Sequence, residues 1–258
     1  MRLKDKVALV TGAAGSIGFA VARRMAESGA TVVLADLQAD ATQVRVDELR
    51  QAGWNAEACV LDVRDEADWR AVLDGVVARH GRVDILVNNA GTAARTGQPF
   101  DAIEFDDWRR VMSVNLDGVF LGCQAAVRAM KAQRCGSIVN IGSTAGFKGT
   151  RGGAAYGTSK GALRTLTRQA AFSCAKHQYG IRVNCIHPGY VWTDLVRKSA
   201  VQEYGDEAAA MRALAATNPM GELLQPDDIA WAAVYFASDE ASRVTGSELV
   251  VDAGSLVQ

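Results

Sequence analysis

The sequence predicts an α/β fold in which a doubly wound parallel sheet of seven strands carries helices on both faces. Short β-branched apolar runs alternate with longer helical patterns from one end of the chain to the other, which indicates parallel βαβ units. The runs are apolar at consecutive positions, as strands covered on both sides require. No linker, repeat or low-complexity tract divides the 258 residues, so we expect a single dinucleotide-binding and catalytic domain over 1–258.

The strand and helix patterns can be placed in order along the chain. The predicted strands are 6–11, 31–36, 56–61, 84–89, 137–142, 182–187 and 247–252. The predicted helices lie near 17–28, 39–52, 65–80, 106–133, 155–178 and 227–238. Segment 188–226 is the least regular part and contains three prolines, so we expect a loop-rich substrate region there, near the carboxyl ends of the strands.

Composition excludes several classes of function. A net charge of −1 leaves no electrostatic footprint for nucleic acid or an anionic membrane. No run of 18 apolar residues predicts a transmembrane helix, and "MRLKDKVALVTG" is too short for a signal peptide. The five cysteines show no CxxC spacing, which favours free thiols in the cytoplasm. The histidines His80, His177 and His187 lack metal-ligand spacing, so we expect structural or surface roles for them and no metal among the catalytic groups.

A glycine-rich turn follows the first strand in "VALVTGAAGSIGFAVARRMAESGA". Gly12, Gly15 and Gly18 permit a tight turn and a close approach of the backbone to a ligand. The helix that follows offers free N–H groups and the positive end of its dipole to a pyrophosphate. Because the turn lies between a strand and a helix, it predicts a Rossmann-type dinucleotide site rather than a turn required by packing alone.

Two carboxylates at strand ends predict how the adenosine half of the cofactor is bound. Asp36 ends the second strand, 24 residues after Gly12, where an acidic residue accepts hydrogen bonds from a ribose and repels a 2′-phosphate. Leu37 follows it, with no basic residue beside it, so we expect NAD rather than NADP. Asp62 ends the third strand and is a candidate for the adenine amino group. Either residue could instead cap the next helix.

The stretch "AAYGTSK" (154–160) places Tyr156 and Lys160 one helical turn apart on one face. A tyrosine with an ordinary pKa is only about 0.1% ionised at neutral pH, so it needs help to act as a general acid–base. The Lys160 ammonium and an oxidised, positively charged nicotinamide would both favour the phenolate. A shift of two to three pKa units corresponds to roughly 3–4 kcal/mol, a plausible total for adjacent charges in a site poor in water.

The chain resembles the short-chain dehydrogenase/reductase family over essentially its whole length. The motifs that carry the resemblance are "TGAAGSIG" (11–18), "NNAG" (88–91), "VNLDGVF" (114–120), "NIGSTAG" (140–146), "YGTSK" (156–160) and "HPG" (187–189). One position departs from the family pattern, because Ser16 replaces the middle glycine of the turn. Serine is small and its hydroxyl can bond a phosphate, so we expect cofactor binding to survive this change.

The resemblance implies a catalytic tetrad of Asn115, Ser143, Tyr156 and Lys160. In this scheme Tyr156 moves the alcohol proton, Ser143 orients the substrate oxygen, and Lys160 holds the nicotinamide ribose. Asn115 would hold a water that links Lys160 to solvent. Thr144 is the rival hydroxyl to Ser143, but the thirteen-residue spacing from Ser143 to Tyr156 favours Ser143.

The resemblance also implies that the "NNAG" backbone contacts the adenosine ribose and that Val191 and Thr193 bind the carboxamide. The expected cofactor contacts are Gly12, Gly15, Ser16, Ile17, Gly18, Asp36, Leu37, Asp62, Val63, Asn89, Ala90, Gly91, Tyr156, Lys160, Pro188, Gly189, Val191 and Thr193.

The predicted function is oxidation of a secondary alcohol, or reduction of its ketone, with NAD. The expected pocket consists of Ser143, Phe147, Tyr156, Gly189, Tyr190, Trp192 and 194–217, with Thr92–Thr96 opposite. Its aromatic residues suggest a cyclic, steroidal or otherwise bulky alcohol as the small-molecule partner. The flanking cations Arg95, Lys148 and Arg151 either attract a carboxylate or are ordinary solvated charges.

Two other functions stay open at this point. One is an NADPH-dependent 3-oxoacyl-thioester reductase, which Asp36 disfavours. The other is a non-catalytic dinucleotide-binding regulator, which the presence of Tyr156 and Lys160 disfavours. The resemblance further suggests a homotetramer, in which Gln258 is a candidate ligand for a structural magnesium ion between subunits.

Overall fold

Seven parallel strands lie side by side in the computed structural model, which describes residues 1–150 and 152–257. The strands are β1 (Val7–Thr11), β2 (Thr31–Asp36), β3 (Ala56–Val60), β4 (Ile85–Asn88), β5 (Gly136–Ile141), β6 (Ile181–Pro188) and β7 (Glu248–Val251). Their order across the sheet is β3-β2-β1-β4-β5-β6-β7. The predicted doubly wound α/β fold is confirmed. The ends of each predicted strand lie within one or two residues of the ends of the observed strand.

Helices cover both faces of the sheet. They are α1 (Ser16–Glu27), α2 (Ala39–Gln51), α3 (Glu66–His80), α4 (Phe105–Met112), α5 (Gly118–Met130), α6 (Ala154–Lys176), α7 (Asp194–Tyr204), α8 (Glu207–Ala215) and α9 (Pro226–Ala237). Helices α1, α2 and α9 pack on one face, and α3, α5 and α6 pack on the other. In the part of the chain that the structure describes, none of these helices has the length and hydropathy needed to cross a bilayer.

Alternation within the strands divides the core in two. On β1, Ala8 and Val10 join the cluster under α1 and α9, whereas Val7 and Leu9 join the cluster under α3 and α6. Successive side chains of a strand point to opposite faces, so a strand that is apolar throughout contributes to both clusters. This is the physical origin of the unbroken apolar runs in the sequence.

The single helix predicted over 106–133 is wrong in one respect. The structure divides it into α4 and α5, joined by a π-helical turn at Ser113–Asp117. This turn directs the buried Asn115 amide towards the loop that follows β4. The sequence contains no proline or glycine inside the turn, so helical periodicity alone does not reveal it.

The loop-rich prediction for 188–226 is also wrong in part, because α7 and α8 lie within it. Thr193 caps α7 by accepting from the Val196 N–H at 3.3 Å, and Gly205, with φ of 89°, ends it. Asp206 caps α8 by accepting from the Ala209 N–H at 2.8 Å. These are ordinary cap residues, and the prolines on either side concealed them in the sequence pattern.

The topology brings the predicted site residues to one edge of the sheet. Strand β1 pairs with both β2 and β4, so the chain reverses its direction of winding between β1 and β4. Open α/β sheets bind ligands outside the carboxyl ends of their strands at such a reversal.

Candidate active site

A cavity of about 1450 Å³ runs along the carboxyl edge of the sheet. All of the residues predicted to contact the cofactor line it, and so do the predicted catalytic residues Ser143, Tyr156 and Lys160. The fourth predicted catalytic residue, Asn115, is fully buried behind its wall. Residues that are far apart in the chain therefore meet around one space.

The glycine turn is built so that the backbone itself forms the floor of this cavity. Gly12 has a positive φ of 64°, and a Cβ there would lie 2.8 Å from the Ala90 Cα atom. A Cβ on Gly18 would collide with the Gly12 carbonyl. The Asn89 amide closes the turn from the other side, because its Nδ2 donates to the Thr11 and Gly12 carbonyls at 2.9 and 3.1 Å. Gly15 is exposed, which leaves the start of α1 accessible to a ligand.

Ser16, the residue that departs from the family pattern, contacts the far side of the cavity. Its hydroxyl donates to the Asp194 carboxylate at 3.3 Å and accepts from the Asp194 backbone N–H at 3.2 Å. These two bonds join the glycine turn to the first residue of α7. The hydroxyl that was expected to face a phosphate therefore connects the two walls in this structure.

Asp36 faces the glycine turn. One carboxylate oxygen accepts from the Ala14 N–H at 3.1 Å, and the other accepts from the Gln38 N–H at 3.2 Å. Helix α2 begins only at Ala39, with Gln38 in the capping position, so Asp36 does not cap it. The two backbone bonds hold the carboxylate at the mouth of the cavity, in an orientation that is set before any ligand enters.

Asp62 has a partner that sequence reasoning missed. The Arg64 guanidinium donates through Nε to Asp62 Oδ1 at 2.9 Å and holds the pKa of that carboxyl below its usual range. Both residues line the same end of the cavity as Asp36. The carboxylate predicted to meet adenine is therefore already paired. Arg64 lies only two positions after Asp62, and this short spacing is the feature of the sequence that could have predicted the ion pair.

Ser143 and Tyr156 face one another at the other end of the cavity. Removal from water raises the pKa of Tyr156, and hydrogen bonding with the Ser143 side chain opposes this effect. The Ser143 hydroxyl also accepts from the Ala145 N–H at 3.1 Å. The lowered phenol pKa expected from the Tyr156–Lys160 spacing is therefore not a property of the protein alone, because desolvation outweighs the other effects there.

Lys160 is 5% exposed, and its ammonium donates to the Ile141 carbonyl at 2.8 Å. Burial lowers its pKa to about 8. The Nζ atom lies 5.8 Å from the centroid of the Tyr156 ring. Lys160 thus lies beneath the phenol as the helical spacing predicts, and it carries a desolvated charge.

Asn115 is bound to the loop after β4. Its Oδ1 accepts from the Thr92 N–H at 2.8 Å, and its Nδ2 donates to the Thr92 carbonyl at 3.0 Å. A Cβ added to Gly91 would lie 3.4 Å from Asn115 Oδ1 and 3.8 Å from Lys160 Nζ, so the amide and the ammonium are neighbours. The Asn115 amide is engaged with protein backbone, and its predicted role in holding a water stays a prediction.

A second anchor of this loop was not predicted. Arg110 donates to the Thr92 hydroxyl and to the Ala93 carbonyl, each at 2.8 Å. Its partner Asp107 is buried and accepts from the Arg95 N–H at 3.0 Å. This ion pair on α4 therefore fixes the wall of the cavity that faces Tyr156.

The substrate end of the cavity differs in part from the prediction. Its wall among the described residues includes Thr92, Ala93, Thr96, Ser143, Lys148, Tyr156, Gly189, Tyr190, Val196 and Thr217. Phe147 and Trp192 were expected there, but neither belongs to this wall. Phe147 instead packs edge-on against His187, with ring centroids 4.9 Å apart. The pocket is consequently less aromatic than the sequence suggested.

The three flanking cations are not equivalent. Arg95 is paired with Glu104 at 2.8 Å, and both side chains are exposed. Lys148 lines the cavity, and its Nζ donates to the Ser255 carbonyl at 2.8 Å. Within residues 1–150 and 152–257, no carboxylate pairs with Lys148. Arg151 and Gln258, together with the magnesium prediction for Gln258, lie outside the described residues.

Comparison with known proteins agrees with this geometry. A family model described as Enoyl-(Acyl carrier protein) reductase matches residues 12–255. The chain is 40% identical over 259 residues to the NADP-dependent (R)-specific alcohol dehydrogenase of Lentilactobacillus kefiri, covering 100% of this chain and 99% of that protein. A short-chain type dehydrogenase/reductase from Mycobacterium marinum, known from its crystal structure, superposes with a TM-score of 0.90 at 35% identity, over 99% of this chain and 97% of that one.

The chain belongs to the short-chain dehydrogenase/reductase family. The resemblance inferred from the motifs is thereby confirmed, and the protein is an oxidoreductase of this family. A further relative is the cis-4-hydroxycyclohexanecarboxylate dehydrogenase of Sinomonas cyclohexanicum, 40% identical over 250 residues and covering 97% of this chain and 96% of that protein.

The nicotinamide dinucleotide expected of the family fits the residues that are present. The glycine cradle excludes any Cβ at Gly18 while Gly15 stays open, as a pyrophosphate requires. Asp36 and Tyr156 line the same cavity, so one continuous space can accommodate both the adenosine and the nicotinamide halves of a dinucleotide.

Proposed function

We propose that the protein is an NAD-dependent dehydrogenase that interconverts a cyclic or otherwise bulky secondary alcohol and its ketone. The observation that carries the proposal is the meeting of Ser143 and Tyr156 at one end of the cavity, with the Lys160 ammonium beneath the phenol. Two hydroxyls and a buried cation form a group that can bind an alcohol oxygen and move its proton.

A nicotinamide held at this end of the cavity would supply the acceptor for the hydride, that is, the hydrogen and two electrons of the carbinol C–H bond. Ser143 holds the substrate oxygen by a hydrogen bond. Tyr156 takes the hydroxyl proton as a phenolate in oxidation and returns it as a phenol in reduction. Lys160 lies beneath the phenol, where its ammonium would stabilise the phenolate formed during the reaction and hold the nicotinamide ribose. The Asn115 amide supports the loop at Thr92, and we assign it the water that relays the proton from Lys160 to solvent.

The choice of NAD rests on Asp36. Its carboxylate is held by two backbone N–H groups at the ribose end of the cavity, and Leu37 beside it carries no charge. A 2′-phosphate placed there would meet a fixed negative charge. Two observations favour the alternative, NADP. The relative from Lentilactobacillus kefiri is named NADP-dependent, and Arg64 lines the same end of the cavity. Arg64 is already bonded to Asp62, which weakens this alternative.

The substrate class is supported by a relative and by the cavity. The protein from Sinomonas cyclohexanicum is named for a ring that carries both a hydroxyl and a carboxylate. In this chain Lys148 lines the substrate end of the cavity, where it would meet a carboxylate carried on a ring. We therefore include cyclohexanols with and without a carboxylate among the expected substrates.

The test is steady-state oxidation of cyclopentanol, cyclohexanol and 4-hydroxycyclohexanecarboxylate, followed by absorbance of the reduced cofactor. We expect kcat/KM with NAD to exceed that with NADP by about 100-fold, since a like charge at hydrogen-bond distance costs a few kcal/mol. Asp36→Ala should remove most of this preference. Asp40→Ala, at an exposed acidic residue on α2, is the matched control and should leave the preference unchanged.

Two results would overturn the proposal. Turnover with NADP that equals or exceeds turnover with NAD would refute the cofactor assignment. No oxidation of any secondary alcohol, together with NADPH-dependent reduction of a 3-oxoacyl thioester, would favour the reductase alternative, with which the description of the matching family model is compatible.

A further inference from the structure

Directly behind Ser143 lies His187, a fully buried imidazole on β6 that has no part in the proposed proton transfer. Its ring does not line the cavity among the described residues. The Ser143 backbone N–H donates to His187 Nδ1 at 3.3 Å. The imidazole therefore contacts the main chain of the residue that would hold the substrate oxygen.

This hydrogen bond defines the form of the imidazole. Because Nδ1 accepts, the neutral ring carries its proton on Nε2. Burial lowers the pKa of His187 to about 4, although the nearby Glu248 carboxylate acts in the opposite direction. The ring is consequently neutral at pH 7, with an acceptor towards Ser143 and a donor on its other side.

The donor side faces a carboxylate. Glu248 Oε2 lies 3.7 Å from His187 Nε2, which has no hydrogen-bond partner among the described residues. Glu248 is itself fixed by two cations, Arg164 Nε at 2.9 Å and an Arg168 Nη atom at 2.8 Å. The carboxylate favours the tautomer with the proton on Nε2, and that tautomer leaves Nδ1 free to accept from Ser143.

Packing holds the ring in place. The Phe147 and His187 rings are nearly perpendicular, with centroids 4.9 Å apart, and the Arg164 guanidinium lies 3.8 Å from the centroid of the Phe147 ring. The neighbouring residue Gly142 has no room for a side chain, because a Cβ there would collide with the His187 ring. The imidazole therefore has little freedom to rotate away from Ser143.

We infer that His187, oriented by Glu248, is a positioning residue that fixes the Ser143 main chain and thereby directs the Ser143 hydroxyl at Tyr156 and the substrate oxygen. Ser143 is then held at three atoms: its N–H donates to His187 Nδ1, its Oγ accepts from the Ala145 N–H, and its carbonyl accepts from the Gly146 N–H at 3.0 Å. The inference rests on the proposed function, since the orientation of the Ser143 hydroxyl matters for the rate only if that hydroxyl binds a reacting oxygen.

The test compares two substitutions of similar bulk. His187→Asn places a carbonyl oxygen where Nδ1 accepts, and His187→Leu places a methyl group there. With the secondary alcohol that the wild-type enzyme oxidises best, we expect His187→Leu to lower kcat about 10- to 100-fold, a range typical of misplaced catalytic groups. The KM for NAD should change little, and His187→Asn should restore most of the rate.

A double-mutant cycle separates positioning from a general loss of structure. In a Ser143→Ala background, which lacks the hydroxyl, His187→Leu should lower kcat by less than about 3-fold, because there is no hydroxyl left to aim. An equal loss in both backgrounds, or an Asn variant as slow as the Leu variant, would overturn the inference.

A readout without turnover keeps the inference distinct from the proposed function. Hydrogen exchange of the peptide covering 142–147 should be faster in His187→Leu than in wild type and close to wild type in His187→Asn. Wild-type protein that oxidises no alcohol would refute the proposed function, and the exchange data would still test the Ser143 anchor. If His187→Leu does not fold, the comparison of wild type with His187→Asn and His187→Gln decides. The Gln variant moves the acceptor away from Ser143, and rates equal to those of the Asn variant would refute the inference.

Discussion

Replacing the buried lysine of the site should stabilise the protein while removing its activity. Lys160 is almost fully buried, and burial lowers its pKa from 10.5 to about 8. Between these two values the unfolded chain binds a proton that the folded protein has already released. Stability therefore rises with pH across this window, and at pH 7 the folded state carries the full cost of the desolvated charge. Lys160→Met removes the charge at similar side-chain length.

The magnitude follows from the two pKa values. The difference between a pKa of 10.5 in the unfolded chain and about 8 in the folded protein destabilises the folded state by about 3 kcal/mol at pH 7 and by about 1 kcal/mol at pH 9.5. The variant also loses the hydrogen bond to the Ile141 carbonyl, which costs roughly 1–3 kcal/mol at either pH. The net stabilisation at pH 7 is therefore small. The quantity that isolates the charge is the change of about 2 kcal/mol between the two pH values.

The assay is urea unfolding of both proteins at pH 7 and pH 9.5, followed by tryptophan fluorescence at one protein concentration. The free energy of unfolding of Lys160→Met relative to wild type should fall by about 2 kcal/mol as the pH rises. Lys131→Met, at an exposed lysine, is the control and should show no such change. A Lys160→Met difference that is the same at both pH values would refute the reasoning, since the lysine would then carry no desolvated charge in the folded protein.

Three further predictions test individual groups of the site. Tyr156→Phe should lower kcat by about 10³-fold while NAD binding, measured by fluorescence titration, stays within about 3-fold, and unchanged turnover would exclude the general acid–base role. Lys148→Met should raise the KM for 4-hydroxycyclohexanecarboxylate about 5- to 10-fold and leave the KM for cyclohexanol unchanged. An equal rise in the KM for both substrates would show that Lys148 does not bind the carboxylate. Ser16→Gly should speed hydrogen exchange at 193–197, because it removes both bonds to Asp194, and unchanged exchange would show that this link does not hold α7.

The strands were predictable because their signal is local and repeated. Each run is apolar on both faces and is followed by turn residues, so the hydrophobic pattern and the turn residues indicate the same strand boundaries. The π-helical turn at Ser113–Asp117 lacked such a signal, since one extra residue in a helical turn leaves no mark in composition. Helices α7 and α8 had good caps in Thr193 and Asp206, but prolines nearby favoured a loop in the prediction.

The residues of the site likewise differ in whether a local sequence signal reveals them. Tyr156 and Lys160 were predictable because helical geometry alone places them together. Arg64 was missed although its partner Asp62 lies only two positions away, whereas His187 was missed because its neighbour Ser143 is determined by tertiary packing. His187 lies beside Ser143 only because β6 pairs with β5, in a register that aligns Asn140 with Cys185. A sequence shows that a histidine exists, but the pairing of two strands decides which backbone amide it meets.

The pKa shifts of Tyr156 and Lys160 have the same main cause, which is desolvation by burial. Removal from water drives both groups towards their neutral forms, the phenol upwards and the ammonium downwards. In the proposed reaction, the positive charge of an oxidised nicotinamide would oppose this effect at the phenol and favour the phenolate that takes up the alcohol proton. A reduced nicotinamide carries no such charge on its ring, so desolvation would again favour the phenol that a ketone needs as proton donor. The charge of the cofactor would thus match the protonation state of Tyr156 to the direction of the proposed reaction, in a site where desolvation alone favours the phenol.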